Sequence, residues 1–220
     1  MTFKAIGVSR HRIGTDGVGV TTLVGGHGCP LNCKYCLNPQ CKSGHVPYEF
    51  TIPELYERLR IDSLYFTATG GGVTFGGGEP LLQTDFIREF ILYCKERGEE
   101  WRFTLETCLA VSEDRLGALD GLIDEYVVDI KDMNDEIYRA YTERDSSMMK
   151  KNLSHLASVQ ENVIVKTPLI PNFNTAEDTL HSRTQLETLG FSRFERFKYI
   201  TEIKKVRDLS KKRVDSIEKT

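Results

Sequence analysis

The sequence predicts an α/β fold in which parallel strands alternate with helices. Six apolar segments rich in β-forming residues recur along the 220 residues, helical segments separate them, and the length suits one hydrophobic core. The six segments are residues 18–24, 71–75, 101–105, 125–130, 162–170 and 194–200. Such alternation predicts right-handed crossovers in an open doubly wound sheet or in a complete or partial barrel. Six units are too few for a closed eight-stranded barrel.

The helical segments carry recognisable start and stop signals. Thr51 and Glu54 have the spacing of a capping box, so a helix should begin there. A second helix should run from Thr84 to about Arg97, with Cys94 on its apolar face as a core thiol. Further helices are expected at residues 112–124, 134–141, 146–159 and 175–189.

The chain shows no internal repeat, low-complexity tract or proline-rich linker that would divide it. We therefore assign residues 1–203 to a single domain. Residues 204–220 differ in character, with seven Lys or Arg and three acidic residues. This segment is expected to form a basic C-terminal helix or tail.

The overall charge argues against nucleic acid or an anionic membrane as a partner. Lys and Arg total 29 against 32 Asp and Glu, a net charge of -3. The first residues lack a signal-peptide pattern, and no run of about 18 apolar residues occurs, so we expect a cytosolic protein. The crowding of Cys29, Cys33, Cys36 and Cys41 favours a metal site in a reducing compartment over disulfides.

Three of these cysteines, Cys29, Cys33 and Cys36, have the spacing C-x3-C-x2-C in one loop after a predicted strand. Thiolates are the usual ligands of iron-sulfur clusters, and a four-iron cluster held by three thiolates has one iron without a protein ligand. That iron can bind a substrate or cofactor. The alternative is a structural zinc site completed by Cys41 or His27, although zinc ligands usually come as two separated pairs.

The Cys motif, with the aromatic residue Tyr35 before its third Cys, resembles the signature of the radical S-adenosylmethionine (SAM) superfamily. Three further segments are similar to the glycyl radical enzyme activating enzymes within that superfamily: Thr15 to Gly19, Val73 to Gln83, and Val128 to Asp135. The four motifs occur in order, and the resemblance covers residues 10–175. It implies a partial (β/α)6 barrel of the radical SAM type.

The resemblance also implies a reaction and its cofactors, a [4Fe-4S] cluster and SAM. The reduced cluster cleaves SAM to methionine and a 5′-deoxyadenosyl radical, which abstracts a hydrogen atom from the Cα of a glycine in a glycyl radical enzyme. The implied partners are that enzyme and a flavodoxin- or ferredoxin-type reductant, with no nucleic acid or membrane partner. We expect the chain to be a monomer.

The residues at the predicted strand ends support the same location for a site, since parallel α/β folds collect sites at the C-terminal ends of strands. Glycines at positions 76–78 let the backbone approach a ligand closely, although an ordinary tight turn is the alternative. Glu106 and Asp129 would be costly to bury without a partner, so a cationic ligand or metal would explain them. An ordinary ion pair between Asp129 and Lys131 is the alternative.

The resemblance assigns roles residue by residue. It implies that Cys29, Cys33 and Cys36 hold the cluster and that Asp16, Gly17 and Gly19 lie on the substrate side. The residues that it implies contact the cofactor are Tyr35, Gly77, Gly78, Glu79, Glu106, Thr107, Asp129, Lys131 and Lys166. In the family the positions of Glu106, Thr107, Asp129 and Lys131 hold the methionyl carboxylate and ribose of SAM and, in some members, a monovalent cation, and Glu106 stands where Asp is more usual.

The chain also departs from the family pattern outside the strand ends. Val18 stands where Pro is usual, and residues 197–200 read Phe-Lys-Tyr-Ile where the family has Leu-Pro-Tyr-His. Two alternatives therefore accompany the prediction of glycyl radical activation. One is a radical SAM enzyme that modifies another peptide or a small molecule, and the other is a non-catalytic metal-binding module.

Overall fold

The computed structural model describes residues 1–14, 16–42 and 44–195. The strands are β1 Phe3–Ile13, β2 Val20–Gly26, β3 Tyr48–Phe50, β4 Gly72–Gly77, β5 Arg102–Thr107, β6 Glu125–Asp129, β7 Val163–Lys166 and β8 Arg193–Glu195. The helices are α1 Ile52–Arg60, α2 Ser63–Thr69, α3 Thr84–Glu96, α4 Glu113–Gly117, α5 Asp135–Thr142, α6 Ser147–Leu156 and α7 Ala176–Thr188.

All eight strands form one sheet in the order β3-β1-β2-β4-β5-β6-β7-β8. The six strands β2, β4, β5, β6, β7 and β8 pair in parallel, whereas β1 pairs antiparallel with both β2 and β3. Within the described residues the sheet ends at β3 and β8 and does not close. The predicted partial (β/α)6 barrel is thus confirmed, and β1 and β3 are additions that the sequence did not predict.

The two faces of the central strands differ in polarity because side chains alternate along a strand. Phe75 of β4 and Phe103 of β5 point to the helical layer, where their rings lie 5.9 and 6.4 Å from the ring of Phe90 on α3. Thr74 and Thr104 point to the opposite, concave face. The helical layer buries the core, including Cys94 as predicted, and leaves the concave face to polar side chains.

Most predicted helices are confirmed, with shorter ends. The capping box forms at the start of α1, where the Glu54 amide donates to the Thr51 hydroxyl and the Glu54 carboxylate accepts from the Thr51 amide. The single helix expected at residues 112–124 was wrong, because α4 ends at Gly117 and Gly121 then adopts a positive φ of 72°.

Two predicted strands are shorter than expected. The strand expected at residues 162–170 is confirmed only over β7, and the prolines at 168 and 171 explain the difference because they lack the amide that a ladder needs. Of the strand expected at 194–200, β8 covers the first two residues, and residues 196–200 lie outside the described part of the chain. The assigned tail at residues 204–220 also lies outside it.

None of the helices in the described ranges is long and apolar enough to cross a membrane.

Asp62, directly before α2, is a completely buried acid. The sequence analysis predicted neither this buried acid nor α2. The Asp62 carboxylate accepts from Arg10 at 2.5 and 2.8 Å, from Thr22 at 2.9 Å, and lies 3.0 Å from Nε2 of His11. Burial raises the pKa of Asp62, but the hydrogen bonds from Arg10 and Thr22 outweigh it and leave that pKa below its usual value. The acid therefore ties the end of β1 to β2 and α2.

We predict that Asp62→Ala lowers the free energy of unfolding by about 3 kcal/mol, because it leaves the buried hydrogen-bonding groups unpaired. Glu57→Ala, which breaks an exposed ion pair with Arg60, should cost under about 0.5 kcal/mol. Urea unfolding measures both. Because the folded pKa of Asp62 is depressed, the difference between parent and variant should shrink as the pH falls below about 4. Equal stability of Asp62→Ala and the parent at pH 7 would contradict this role.

Candidate functional site

The C-terminal ends of five parallel strands bring the predicted site residues to one edge of the sheet. The Cys loop follows β2, Glu79 follows β4, and Glu106 and Thr107 end β5. Asp129 ends β6, just before Lys131, and Lys166 ends β7. The sequence predicted this gathering, and the parallel register confirms it.

The Cys loop is held by main-chain hydrogen bonds at several points. The Asn32 amide donates to the Thr142 carbonyl at 2.8 Å, and the Lys34 amide donates to the Tyr141 carbonyl at 3.2 Å. The Gly28 amide donates to the Cys41 carbonyl at 2.6 Å. The loop that carries the three cysteines is therefore hydrogen-bonded to the end of α5. Its first part is also hydrogen-bonded to its last part, at Cys41.

The Cys loop also packs directly on the glycine segment after β4. The Gly78 amide donates to the Gly26 carbonyl at 3.0 Å, the Glu79 amide donates to the Gly28 carbonyl at 2.7 Å, and the Asn38 side-chain amide donates to the Gly77 carbonyl at 2.9 Å. A Cβ on Gly78 would lie 2.2 Å from the Gly28 carbonyl oxygen. The close packing of the two loops therefore requires glycine at position 78. From the sequence we had explained this glycine by a close approach of the backbone to a ligand.

Glu79 is completely buried and fully hydrogen-bonded within the chain. Its carboxylate accepts from the Thr107 hydroxyl at 2.8 Å, from the Leu81 amide at 3.1 Å, and from the amide and thiol of Cys108, each at 2.9 Å. Burial raises the pKa of Glu79, and these hydrogen bonds oppose that rise. The acid fixes the glycine segment to the end of β5, so its predicted contact with a cofactor stays a prediction.

The thiols differ in their surroundings. Burial raises the pKa of Cys33 to about 11, whereas a hydrogen bond with Cys41 is the main cause that lowers the pKa of Cys36 to about 6. A hydrogen bond with Cys108 likewise lowers the pKa of Cys29. Cys41 and Cys108, which the sequence interpretation left unligated, thus lower the pKa of two of the three predicted ligands.

Three thiols on one anchored loop fit the donor set of an iron-sulfur cluster. Within residues 1–14, 16–42 and 44–195, no group of three or more His, Cys, Asp or Glu side chains is arranged to hold a single metal ion. Nε2 of His27 is buried without a hydrogen-bond partner.

Tyr35 belongs to an aromatic cluster beside the Cys loop. Its ring centroid lies 6.1 Å from that of Tyr141 on α5 and 5.8 Å from that of Phe173, and its hydroxyl accepts from the Asn172 side chain at 3.1 Å. These contacts anchor the loop to α5 and to the segment after β7. Sequence patterns carried no signal for Phe173 or Asn172, because each contact with Tyr35 joins residues more than 130 positions apart.

The acids at the strand ends are paired with lysines of the same chain. Nζ of Lys166 lies 3.0 Å from the Glu106 carboxylate, and Nζ of Lys131 lies 2.5 Å from Oδ2 of Asp129. Both lysine side chains are largely buried, at 12% and 11% exposure. Oδ1 of Asp129 is buried without a hydrogen-bond partner. Each acid is therefore paired with a lysine, and Oδ1 of Asp129 is the buried oxygen of these two acids that no described group satisfies.

The predicted substrate-side residues do not lie at this edge. Asp16 is buried, pairs with Arg12, and accepts a hydrogen bond from Thr74 at its carbonyl. A Cβ on Gly17 would lie 2.9 Å from Oγ1 of Thr104, in the middle of β5. This segment thus covers the concave face of the sheet.

A cavity of about 530 Å³ opens beside that segment. Gly14, Gly17 and Val18 form one wall, and the side chains of β6, β7 and β8 form the other. Glu125 and Arg193 pair at 2.7 Å in its lining. The cavity lies on the concave face, below the strand-end residues.

A three-thiol loop at the C-terminal edge of an unclosed parallel sheet defines the class of a cluster-binding α/β enzyme. Residues 23–182 match the radical SAM superfamily. Because that match covers most of the chain, the chain belongs to the radical SAM superfamily. An iron-sulfur cluster with SAM is the cofactor pair that this membership implies, as the Cys motif predicted.

Similar proteins include activating enzymes of glycyl radical enzymes. The chain is 25% identical, over an alignment 222 positions long, to the pyruvate formate-lyase-activating enzyme of Clostridium pasteurianum, across 93% of this chain and 91% of that one. It is 36% identical over 124 residues to the (2S)-3-sulfopropanediol dehydratase activating enzyme of Klebsiella oxytoca, across 56% of this chain and 38% of that one. The resemblance found in the sequence is thus confirmed.

Among solved structures, Streptococcus suis SuiB bound to precursor peptide SuiA superposes with a TM-score of 0.63 at 16% identity. The match covers 89% of this chain and 44% of SuiB. The chain therefore spans less than half of the length of SuiB. At this identity the likeness shows the shared fold.

We predict that Gly78→Ala disrupts the Cys loop, because the new Cβ would overlap the Gly28 carbonyl oxygen. The overlap should lower the free energy of unfolding by about 2 kcal/mol and reduce the iron bound per chain after anaerobic reconstitution. Gly7→Ala is the matched control, since nothing lies within 4 Å of a Cβ at that position. If Gly78→Ala binds as much iron and is as stable as the parent, the two loops are not in close contact.

Proposed function

We propose that this chain is a radical SAM enzyme that activates a glycyl radical enzyme by abstracting a glycine Cα hydrogen atom. The observation that carries the proposal is the fixed contact between the three-cysteine loop and the glycine segment at the C-terminal edge of the parallel strands. Family membership and the named activities of its relatives support the same reaction.

The cluster and SAM supply the radical chemistry, in which one electron splits the sulfonium to methionine and a 5′-deoxyadenosyl radical. The protein supplies ligands and orientation. We assign Cys29, Cys33 and Cys36 as the cluster ligands. The C-x3-C-x2-C motif supplies these three ligands and no fourth. The assignment leaves one iron for the amino acid end of SAM.

The charged residues beside the loop suit a ligand that carries both an ammonium and a carboxylate. We assign the buried Oδ1 of Asp129, which accepts no hydrogen bond from the described residues, as an acceptor for the ribose or ammonium of SAM, and Lys131 is paired with the other oxygen of the same carboxylate. Gly77 and Gly78 lie next to the Cys loop, and we assign them to the cofactor side of the site. We assign Glu106, Thr107 and Lys166 to the adjoining wall.

The concave face provides the place where a peptide loop would meet the radical. Asp16 and Gly17 border this face, and the cavity lies between Gly17 and the inner side chains of β6 to β8, while Gly19 lies against Thr69 beside them. A partner's glycine loop entering from this side would approach the strand ends from below. We infer that the protein substrate is bound here.

The remaining parts of the proposal concern partners and location. Since the cluster needs one electron from outside the chain, a flavodoxin- or ferredoxin-type protein is the proposed reductant. We propose that the chain acts as a monomer in the cytosol. These assignments rest on the resemblance of the motifs and on the modest net charge of -3.

The central experiment uses dithionite and SAM under anaerobic conditions and measures 5′-deoxyadenosine. We predict that Cys33→Ala abolishes the product, because two thiolates cannot hold the cluster. Cys41→Ala, which removes a buried thiol beside Cys36, should keep both the product and about four irons per chain. Product from Cys33→Ala equal to that of the parent would overturn the ligand assignment.

The same assay tests the substrate. A glycyl radical enzyme labelled with α-deuterated glycine should transfer deuterium to 5′-deoxyadenosine, which mass spectrometry detects. Unlabelled 5′-deoxyadenosine with that protein, but labelled product with another peptide, would favour the alternative substrate class. A colourless protein that binds zinc and makes no product would favour the non-catalytic module.

A further inference from the structure

The family resemblance implies a monovalent cation near Glu106, Thr107 and Asp129, and the structure fills that neighbourhood with a lysine. Lys166 of β7 is opposite Asp129 of β6 and opposite Glu195 of β8 in the parallel register. Its Nζ lies 3.0 Å from Oε1 of Glu106 and 3.5 Å from Oε2 of Glu195. One ammonium group therefore stands among three carboxylates.

The surroundings hold this ammonium in its charged form. Burial lowers the pKa of Lys166, but the attraction of Glu106, Glu195 and Asp129 outweighs it and leaves that pKa above its usual value. The side chain is only 12% exposed, so water does little to screen the attraction. A second cation placed among the same carboxylates would be repelled by this ammonium.

The length of the side chain at position 106 explains how the lysine reaches its partner. Glu106 and Lys166 are separated by β6, and the extra methylene of Glu over Asp extends the carboxylate across that strand. Gly76 on β4 leaves room for the Glu106 side chain, since a Cβ there would lie 3.1 Å from Oε2 of Glu106. Glu106, in place of the usual Asp, thus has the length that its ion pair with Lys166 needs.

We propose that the Lys166 ammonium takes the place of the monovalent cation, so that this chain binds SAM without added sodium or potassium. The proposal rests on the proposed function, because SAM is the ligand whose site the cation would complete. A lysine ammonium is a compact point charge with three donors, which suits a position among several carboxylate oxygens. Lys166 is in this sense a positioning residue for Glu106 and Asp129.

The test compares SAM binding in sodium, potassium and choline chloride at equal ionic strength, by calorimetry on the reconstituted protein. The parent should bind SAM equally in all three salts, within about twofold. Lys166→Ala removes the charge and opens space, so its affinity should fall about tenfold in choline and recover in sodium or potassium. Lys166→Met removes the charge but fills the space, so no salt should restore its affinity.

A second measurement does not depend on SAM. The thermal unfolding temperature of Lys166→Ala should be higher in sodium or potassium than in choline, whereas those of the parent and Lys166→Met should not depend on the cation. Failure of the parent to bind SAM in every salt would count against the proposed function alone, since the unfolding comparison still stands.

Two results would overturn the inference. The first is SAM binding by the parent that requires sodium or potassium, which would mean that a cation site exists beside Lys166. The second is identical behaviour of Lys166→Ala and Lys166→Met in both measurements, which would mean that the space vacated by the lysine takes no cation.

Discussion

The site depends on one close backbone contact, between the Cys loop after β2 and the glycine segment after β4. The carbonyls of Gly26 and Gly28 accept from the amides of Gly78 and Glu79, and no side chain fits between them. Because the two strands are parallel neighbours, their loops emerge side by side, and this contact sets where the cysteines face. Glu79 then links the same segment to the end of β5 through Thr107 and Cys108.

Charge compensation along the strand ends follows from the same architecture. Parallel strands bring Glu106, Asp129 and Lys166 to neighbouring ends, where isolated charges would be costly to bury. Lys166 pairs with Glu106, and Lys131 pairs with Asp129. These two ion pairs neutralise the charges of Glu106 and Asp129 and leave Oδ1 of Asp129 without a hydrogen-bond partner.

Sequence periodicity and motif order were sufficient to predict the six parallel strands, the unclosed sheet and the edge at which the site residues gather. They could not predict β1 and β3, because antiparallel strands at a sheet edge carry no crossover helix to mark them. They also missed the buried network of Asp62 and the amide of Asn38 on Gly77, since each joins residues about 40 or more positions apart. The cofactor contacts and the domain boundary near residue 203 stay predictions.

The central claim is that three cysteines leave one iron of the cluster for the amino acid end of SAM. The most direct measurement is electron-nuclear double resonance on the reduced cluster after addition of SAM that carries nitrogen-15 in its amino group. The account predicts a hyperfine coupling from that nitrogen, which shows that it is bound to iron. Tight SAM binding without such a coupling, together with four cysteine-ligated irons in Mössbauer spectra, would contradict it.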